Sequence, residues 1–346
     1  MSKTESGTPY SVLDLAVVTE GGSLGEAIQN SCDIAKHVEE FGYRRFWMAE
    51  HHNMDNIASS ATSVLLGHVA GATRSIRVGS GGIMLPNHSP LVIAEQFGTL
   101  ATIYPGRIDL GLGRAPGTDQ ATADAIRPDR MQQIRQFPQN VQLLKRYLSA
   151  DNQNEKVRAI PGEGTDIPLW ILGSSTDSAI VAAELGLPYA FASHFAPQQL
   201  LHAIQLYREH FKPSDQLKAP YVMPAVNVIA ADTDDEAEYL ATSMKQMFAG
   251  VVTGSRKPMP PPVEDLNKVW DPRVKAMVEQ MLTYTFIGSK NTIREQLQEF
   301  LALTNADEVM IASNIYDHRK RIKSHELFAE IMSVESYFHS PTSLNA

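Results

Sequence analysis

Short runs of hydrophobic residues alternate along the chain with longer segments in which hydrophobic residues recur every three or four positions. The short runs predict buried strands, because a strand covered on both faces shows no polar alternation. The longer segments predict amphipathic helices, each with one apolar stripe. Eight strands are predicted, at residues 11–18, 45–50, 76–85, 108–113, 168–172, 189–193, 221–231 and 308–312.

Local signals mark where some of the intervening helices begin and end. Ser23 and Glu26 have the spacing of a capping box, in which each side chain bonds the backbone of the other residue. Gly42 suits the left-handed position that ends a helix. Ser89 and Pro90 supply a cap and a first-turn proline. Helices are predicted from residue 23 to about 42, and at 61–72, 90–103, 130–148 and 234–248.

Eight strands, each followed by a helical segment, favour a closed (β/α)₈ TIM barrel of the α/β class over a five- or six-stranded doubly wound sheet. We expect residues 1–346 to form this barrel as a single domain. Insertions are expected near 151–166 and 250–272, and a flexible tail at 340–346. The second insertion contains three consecutive prolines and is interpreted as either a lid or a disordered linker.

Composition limits the classes of partner and the cellular compartment. The 346 residues include 30 Lys+Arg and 39 Asp+Glu, a net charge of −9, which disfavours nucleic acid or an anionic membrane as a general partner. The one cysteine, Cys32, excludes an internal disulfide and a multi-cysteine metal site. The first nine residues do not resemble a secretory signal, and no run reaches about 20 apolar residues. We therefore expect a cytoplasmic protein.

Polar, glycine-rich or histidine-containing sequence lies within or after five successive predicted strands. Because active sites of (β/α)₈ barrels lie at the carboxyl ends of their strands, these residues are the candidates for chemistry. They are Glu50 and His51 for the second strand, Ser80 with Gly79, Gly81 and Gly82 for the third, Arg114 for the fourth, Gly173, Ser174 and Ser175 for the fifth, and His194 for the sixth.

The histidines do not have the spacing of a metal site. His51 and His52 are adjacent, so in an extended segment they point to opposite sides. The sequence also lacks the helical two-histidine zinc motif and the calcium-loop motif. No metal is expected, and His51 is interpreted as either a cofactor-contacting catalytic residue or a structural one.

Two neighbouring strand ends predict a phosphate site. The segment 111–117 does not match the dinucleotide glycine pattern, which disfavours a nicotinamide site. Arg114 can instead offer paired hydrogen bonds to a phosphate, or it can form a salt bridge at the rim. Gly173, Ser174, Ser175 and Ser178 surround the start of a helix, where an anion binds readily, although ordinary capping would use the same residues.

The glycines of the third strand predict close approach of a ligand. Gly79, Gly81 and Gly82 remove side chains from a strand that would otherwise pack with them. A flat aromatic cofactor fits such a surface, with its phosphate tail directed toward strands four and five.

Several motifs together resemble the bacterial luciferase-like, flavin-dependent monooxygenases, and most closely a subgroup without an assigned substrate. The longer motifs are WMAEHH at 47–52, VGSGGIMLP at 78–86 and PGRIDLGLGR at 105–114. The shorter ones are NHSP at 87–90, AEQ at 94–96, LGSS at 172–175 and LGLP at 185–188.

The resemblance implies an enzyme, usually a homodimer, that binds reduced FMN supplied by a separate NAD(P)H-dependent reductase. Reduced FMN would react with O₂ to give a C4a-peroxyflavin, which would oxygenate an unidentified small organic substrate. His51 would be the catalytic acid/base, with Glu50 beside it, and the Gly81–Gly82 peptide would be cis. The flavin-binding residues would be Ser80, Gly81, Gly82, Arg114, Gly173, Ser174, Ser175 and Ser178.

Two departures from luciferase put light emission in doubt. Gly113 stands where the luciferase light-emitting subunit has a cysteine, and residues 250–272 do not resemble its mobile loop. Two alternative functions stay open: a deazaflavin (F420) dependent oxidoreductase on the same barrel, and a non-catalytic flavin-binding protein. A closed apolar pocket would suit the oxygenase, and the residues that could line it, or simply pack in the core, are Phe46, Met84, Trp170, Phe191 and Phe195.

Overall fold

A computed structural model describes residues 7–268 and 270–335, which form nine strands and twelve α-helices. The flexible tail predicted at 340–346 lies outside these residues. The strands are β1 (Tyr10–Asp14), β2 (Arg45–Met48), β3 (Arg77–Met84), β4 (Ile108–Gly113), β5 (Leu169–Gly173), β6 (Tyr189–Phe191), β7 (Val222–Ala230), β8 (Thr285–Gly288) and β9 (Val309–Ala312). The helices are α1 (Leu24–Glu40), α2 (Thr62–Ala72), α3 (Pro90–Ile103), α4 (Gln120–Ile126), α5 (Arg130–Arg135), α6 (Phe137–Leu148), α7 (Thr176–Leu185), α8 (Leu200–His210), α9 (Asp234–Thr253), α10 (Pro272–Met281), α11 (Lys290–Thr304) and α12 (His318–Glu335).

Eight of the strands close into a parallel barrel. Strands β1 to β6 pair in chain order, β6 pairs with β7, β7 with β9, and β9 with β1. Helices cover the outside, and the largest apolar cluster lies between them and the strands. The predicted single-domain (β/α)₈ barrel is therefore confirmed, and the predicted strand 308–312 supplies its closing member, β9.

The ninth strand, β8, was not predicted. It pairs with the last residues of β7, outside the closed ring, at Asn227–Ala230. Its four residues alternate between half-buried and buried positions. A hydrophobic run this short cannot be separated by its pattern from the flanking helical segments.

Two predicted elements are interrupted in the structure. The first strand ends at Asp14, whose Oδ1 accepts the Ala16 N–H at 2.5 Å, and Ala16 has a φ of 51°. The single helix predicted at 130–148 is two helices, α5 and α6, which meet at Gln136. Pro138 lies in the first turn of α6 and has no N–H to continue the preceding helix.

The predicted start and end of the first helix are confirmed. The Ser23 side chain accepts from the Glu26 N–H, and the Glu26 carboxylate accepts from the Ser23 N–H at 2.7 Å. Gly42 follows the helix with a φ of 83°. Cys32 lies buried on this helix.

Both predicted insertions pack against the barrel. In 151–166, Asn152 and Ala159 are buried, and the Gly162 backbone lies against Gly98 of α3. In 250–272, α9 continues to Thr253, beyond its predicted end at 248, and the following loop is tied to the segment after β1. Met259 N–H donates to the Val18 carbonyl and its own carbonyl accepts from Glu20 N–H, both at 2.8 Å.

A buried ionic cluster fills the amino-terminal end of the barrel. Arg45 donates to Glu308 at 2.9 Å and to Asp109 at 2.8 Å, and Arg77 also pairs with Asp109. The Arg45 guanidinium stacks 4.7 Å from the ring centre of Trp170. This end is closed by side chains, so a ligand has room only at the carboxyl ends of the strands.

Strands β3 and β4 approach each other so closely that only glycine fits between them. A Cβ on Gly111 would overlap the Ser80 carbonyl oxygen, and one on Gly82 would lie 2.8 Å from the Gly111 carbonyl oxygen. The pairing of the two strands also shifts register between Ser80 and Ile83. The backbone of Gly81 and Gly82 thereby faces the barrel interior without side chains.

We predict that Gly111→Ala destabilises the protein by about 1–3 kcal/mol, because the added methyl group overlaps backbone that cannot move independently. Gly25→Ala, on helix α1, is the matched control. Its Cβ would lie 3.9 Å from the nearest atom, and alanine is favoured over glycine in a helix by about 0.5 kcal/mol. Urea denaturation of both variants measures the difference. A Gly111→Ala midpoint at or above that of the wild type would contradict the packing described.

Candidate active site

A cavity of about 620 Å³ opens at the carboxyl ends of the strands, within the usual range for small-molecule sites. Its lining is mostly apolar. Of the candidate residues predicted from sequence, those that line it are His51, Gly81, Gly82, Arg114, Gly173, Ser174, Ser175, Ser178 and His194. Glu50 and Ser80 are not among the lining residues.

One wall of the cavity is bare backbone. The Gly81–Gly82 peptide is cis, as the family resemblance implies. A Cβ on Gly81 would lie 2.6 Å from Leu13 Cδ1, so a side chain here would collide with the core. Ser80 lies behind this wall, where its hydroxyl donates to the Gly111 carbonyl and accepts the Gly111 N–H. The wall presents a flat surface, and Ser80 supports it from the strand interface.

Arg114 and Arg130 bring two positive charges to the cavity. Arg114 follows β4, is about one-third exposed, and lies 3.3 Å from the Asp177 carboxylate. The rim salt bridge considered from sequence is thus present. Arg130 is 6 % exposed, and its Nε has no hydrogen-bond partner among the described residues. Burial lowers the pKa of Arg130 below its usual value.

Arg130 was missed in the sequence analysis. It stands at the start of α5, where the predicted long helix began, and nothing in its immediate sequence distinguishes it from an exposed helical arginine. Arg130 reaches the cavity because the helix breaks at Gln136 and because α5 packs against the loop after β3. The only signal in the sequence was the long loop after β4, since long loops at this end of a barrel often carry site residues.

The turn between β5 and α7 is built around Ser178. Its hydroxyl donates to the Ser175 carbonyl at 2.7 Å and bonds the Tyr189 hydroxyl at 2.9 Å. A Cβ on Gly173 would overlap the Ser178 side chain, which explains the glycine. The Ser175 hydroxyl makes no capping bond to the helix. The side chains of Ser174 and Ser175 are therefore available to an anion beside Arg114, whereas the first N–H of α7, from Thr176, donates to the Gln199 side chain at 3.1 Å.

Two uncharged histidines face the cavity from β2 and β6. His51 and His194 each have a buried Nδ1 without a partner among the described residues, while Nε2 is the nitrogen left open. Burial lowers the pKa of each to about 4, and His51 also contributes to the lowered pKa of His194. Glu50 opposes the shift at His51, and Arg256 adds to it. Both imidazoles are neutral at pH 7, and each offers one nitrogen to a ligand.

Glu50 is enclosed and joins three segments. It is 1 % exposed, and its carboxylate contacts His52 and His88 at 2.9 Å. It also accepts the Met84 N–H at 2.9 Å and the Asn87 side-chain amide at 3.3 Å. Burial alone would raise the pKa of Glu50, but its hydrogen bonds lower this pKa to about 2. The carboxylate is ionised and holds the end of β3 beside His51.

Of the five residues that could either line the pocket or pack in the core, two line it. Met84 and Phe195 contact the cavity. Phe46 and Phe191 face the helices because alternate residues of a strand point to opposite sides. Trp170 faces the barrel interior, but it lies below the cavity, packed edge-on against Trp47 at 5.1 Å.

The sequence matches the family description luciferase-like monooxygenase over residues 8–307. A luciferase-like monooxygenase of Escherichia coli (strain K12) is 50 % identical over 95 % of this chain and 98 % of its own. The N-acetyl-S-alkylcysteine monooxygenase of Bacillus subtilis (strain 168) is 32 % identical, over 92 % of this chain and 97 % of its own.

Solved structures show the same fold. The crystal structure of apo-MsnO8 superposes with a TM-score of 0.84 at 33 % identity, covering 94 % of this chain and 98 % of its own. Two further structures, each 15 % identical to this chain, belong to proteins that use different cofactors. One is the oxygenating constituent of 3,6-diketocamphane monooxygenase from Pseudomonas putida with FMN, with a TM-score of 0.70 and coverage of 94 % and 97 %. The other is an F420-dependent secondary alcohol dehydrogenase, with a TM-score of 0.68 and coverage of 94 % and 98 %.

We predict that Glu50→Gln lowers the free energy of unfolding by about 3 kcal/mol at neutral pH, because the ionised carboxylate is replaced by a neutral amide among the same partners. The folded-state pKa is about 2 and the usual value is 4.5, so the stabilisation is complete above pH 4.5 and is lost as the pH falls toward 2. Urea denaturation of wild type and variant should therefore give curves that converge below pH 4.5. The control is Glu209→Gln, an exposed glutamate on α8. A gap that stays constant with pH argues against this role.

Proposed function

Because the chain belongs to the luciferase-like monooxygenase family, we propose that it is an FMN-dependent monooxygenase that uses reduced flavin and O₂ on a small organic substrate. The observation that carries this proposal is that one cavity brings together two kinds of lining. Arg114, Arg130 and the Ser174–Ser175 turn supply positive charge and hydroxyl groups, and the bare Gly81–Gly82 wall supplies a flat surface near two neutral histidines. This is the arrangement that a flat ring with a phosphate tail requires.

The phosphate of FMN fits the end formed by Arg114, Arg130 and the Ser174–Ser175 turn. The unpartnered Nε of buried Arg130 lacks a hydrogen-bond acceptor, which a phosphate oxygen would supply. Arg114 supplies a second cation, at present shared with exposed Asp177. In a chain of net charge −9, an anionic cofactor needs such a local site.

The isoalloxazine ring fits against the peptide of Gly81 and Gly82. Any larger residue there would clash with Leu13 or with the Gly111 backbone, so the wall stays flat. Ser80 fixes this wall by bonding both backbone groups of Gly111. We therefore retain Gly81 and Gly82 as flavin contacts and give Ser80 a supporting role.

Reduced FMN, when bound, would supply the electrons that activate O₂ for transfer of one oxygen atom to the substrate. His51 would hold or move a proton at Nε2, beside the glycine wall, because its lowered pKa keeps it neutral in the working range. Leu13, Leu15, Met84 and Leu172 would keep water from the ring. Glu50 would act as a positioning residue, since its carboxylate is fully occupied behind His51.

We also propose that the protein is a cytoplasmic homodimer that receives reduced FMN from a separate NAD(P)H-dependent reductase. Exposed apolar side chains on α2 and α3 support association, among them Val64, Val92 and Ile103. None of the helices in the described ranges is both long and apolar enough to cross a membrane.

We predict that Arg114→Gln and Arg130→Gln each weaken FMN binding by about tenfold, the size expected for one charge-assisted hydrogen bond. Riboflavin, which lacks the phosphate, should bind all variants within about twofold of wild type. Arg135→Gln, on the exposed side of α5, removes the same charge and should change neither affinity. Equilibrium dialysis with both flavins measures these values, and equal weakening of FMN and riboflavin would remove the phosphate assignment.

We predict that the protein slows the reaction of bound reduced FMN with O₂ relative to free reduced FMN, and that His51→Ala speeds it at least about tenfold without weakening FMN binding. Stopped-flow absorbance measures the reaction, and His202→Ala on exposed α8 serves as the control. If the wild-type protein reoxidises reduced FMN at the rate of free flavin, the result would instead indicate a non-catalytic flavin-binding protein. Hydride transfer with a reduced deazaflavin and no O₂ consumption would favour the F420-type oxidoreductase.

A further inference from the structure

His194 lines the cavity, and the proposed flavin site gives it no role. It follows β6 and is 9 % exposed. Two hydrogen bonds of 2.6 Å fasten this end of β6 to β7: the Asn227 side-chain amide donates to the His194 carbonyl, and the Ser193 hydroxyl donates to the Ala225 carbonyl. Asn227 and Ser193 are both fully buried, so His194 is held in position before a ligand binds.

The imidazole of His194 offers a hydrogen-bond donor to the cavity. Its Nδ1 is enclosed without a partner among the described residues, whereas Nε2 is open. The lowered pKa keeps the ring neutral at pH 7, so it carries one N–H. A buried N–H without an acceptor is costly, which places the proton on Nε2. A molecule that displaces water from Nε2 must therefore supply an acceptor.

The charges of the cavity lining are matched by the phosphate of FMN. Among the described residues that line the cavity, the charged side chains are Arg114 and Arg130, both assigned to a phosphate that carries about two negative charges at neutral pH. An anionic substrate would meet no further lining cation, and a cationic substrate would meet no carboxylate in this part of the structure. Because an unpaired buried charge is costly, the lining favours an uncharged substrate.

The surface beside His194 is apolar. Phe195 is 40 % exposed, and its ring lies edge-on to the His194 ring with the ring centres 4.9 Å apart. Leu13, Leu15 and Ile134 contribute aliphatic side chains to the same cavity. An exposed aromatic ring at a cavity favours a ligand that covers it with apolar groups.

His194 also lies near the residue proposed to handle the proton. β2 and β6 stand opposite each other in the ring of eight strands, so His51 and His194 approach the cavity from opposite sides. The two rings are still close enough for His51 to lower the pKa of His194. A molecule bound at His194 Nε2 would therefore lie beside His51.

We propose that the substrate is an uncharged, mainly apolar molecule with an acceptor oxygen, and that His194 binds this oxygen through its Nε2–H. The proposal rests on the FMN-dependent function above and adds the charge and polarity of the substrate to it. His194 determines specificity by binding and takes no part in the transfer of oxygen.

Three ligands of similar length test the charge of the substrate: methyl pentyl ketone, hexanoate and hexylammonium. Isothermal titration of the FMN-loaded protein at pH 7 should show the ketone binding at least about tenfold more tightly than either ion, because each ion would lose hydration without gaining a partner. An ion that binds as tightly as the ketone, or no binding of the ketone at about 10 mM, would overturn the proposal.

Two variants test the hydrogen bond. His194→Phe keeps an aromatic ring but removes the donor, and it should weaken ketone binding about fivefold, the size of one neutral hydrogen bond. His194→Gln restores an N–H donor and should stay within about twofold of the wild type. His202→Phe, on the exposed side of α8, is the control. Equal weakening by the two His194 variants, or none by His194→Phe, would remove the assignment.

FMN binding measured on the same samples separates this proposal from the proposed function. Both His194 variants should bind FMN within about threefold of the wild type, because Arg114 and Arg130 hold the phosphate. Failure of the wild type to bind FMN would overturn the flavin function. If His194→Phe weakens FMN as much as it weakens the ketone, His194 contacts the flavin and its assignment to the substrate is wrong.

A measurement on the unmodified side chain locates the proton. Nitrogen magnetic resonance of the imidazole-labelled, FMN-loaded protein should show the His194 proton on Nε2 at pH 7, and the Nε2 signal should move on saturation with the ketone. The signal is identified by its loss in His194→Phe. A proton on Nδ1, or an Nε2 signal that does not respond to the bound ketone, would contradict the proposed hydrogen bond.

Discussion

The buried carboxylate of Glu50 is the contact on which the geometry of the site depends. It joins the end of β2 to the end of β3 through Met84 N–H, and to the following turn through Asn87 and His88. A buried charge is tolerated only when its hydrogen bonds are satisfied, so these segments cannot separate without leaving it unpaired. His51, the next residue, is thereby held at the cavity edge before any ligand arrives.

The barrel separates its charges along its axis and around its rim. At the amino-terminal end, Arg45 and Arg77 balance the charges of Asp109 and Glu308 within a packed cluster. At the carboxyl end, Arg114 and Arg130 lie on the side of β4 and α5, while His51 and His194 stay neutral. An anionic group is thus attracted to one side of the cavity, and an apolar ring is accommodated on the other.

The sequence was sufficient for the barrel and for the glycine wall because both depend on local patterns. Buried strands read as hydrophobic runs, the Ser23 capping box is a four-residue signal, and Gly81–Gly82 interrupts a hydrophobic strand pattern. The position of Arg130 and the enclosure of Glu50 depend on contacts between segments distant in the chain. Helix α5 places Arg130 at the cavity, and this contact leaves no trace in the neighbouring residues. For Trp170 the choice between pocket and core stayed open for a related reason: alternation gives the face of a strand but not the depth within the barrel.

The most direct test of this account is a crystal structure of the protein with FMN. The account places the phosphate between Arg114, Arg130 and the Ser174–Ser175 turn, and the isoalloxazine against Gly81 and Gly82 with His51 Nε2 beside it. A phosphate bound away from both arginines, or a ring lying outside the cavity, would contradict it.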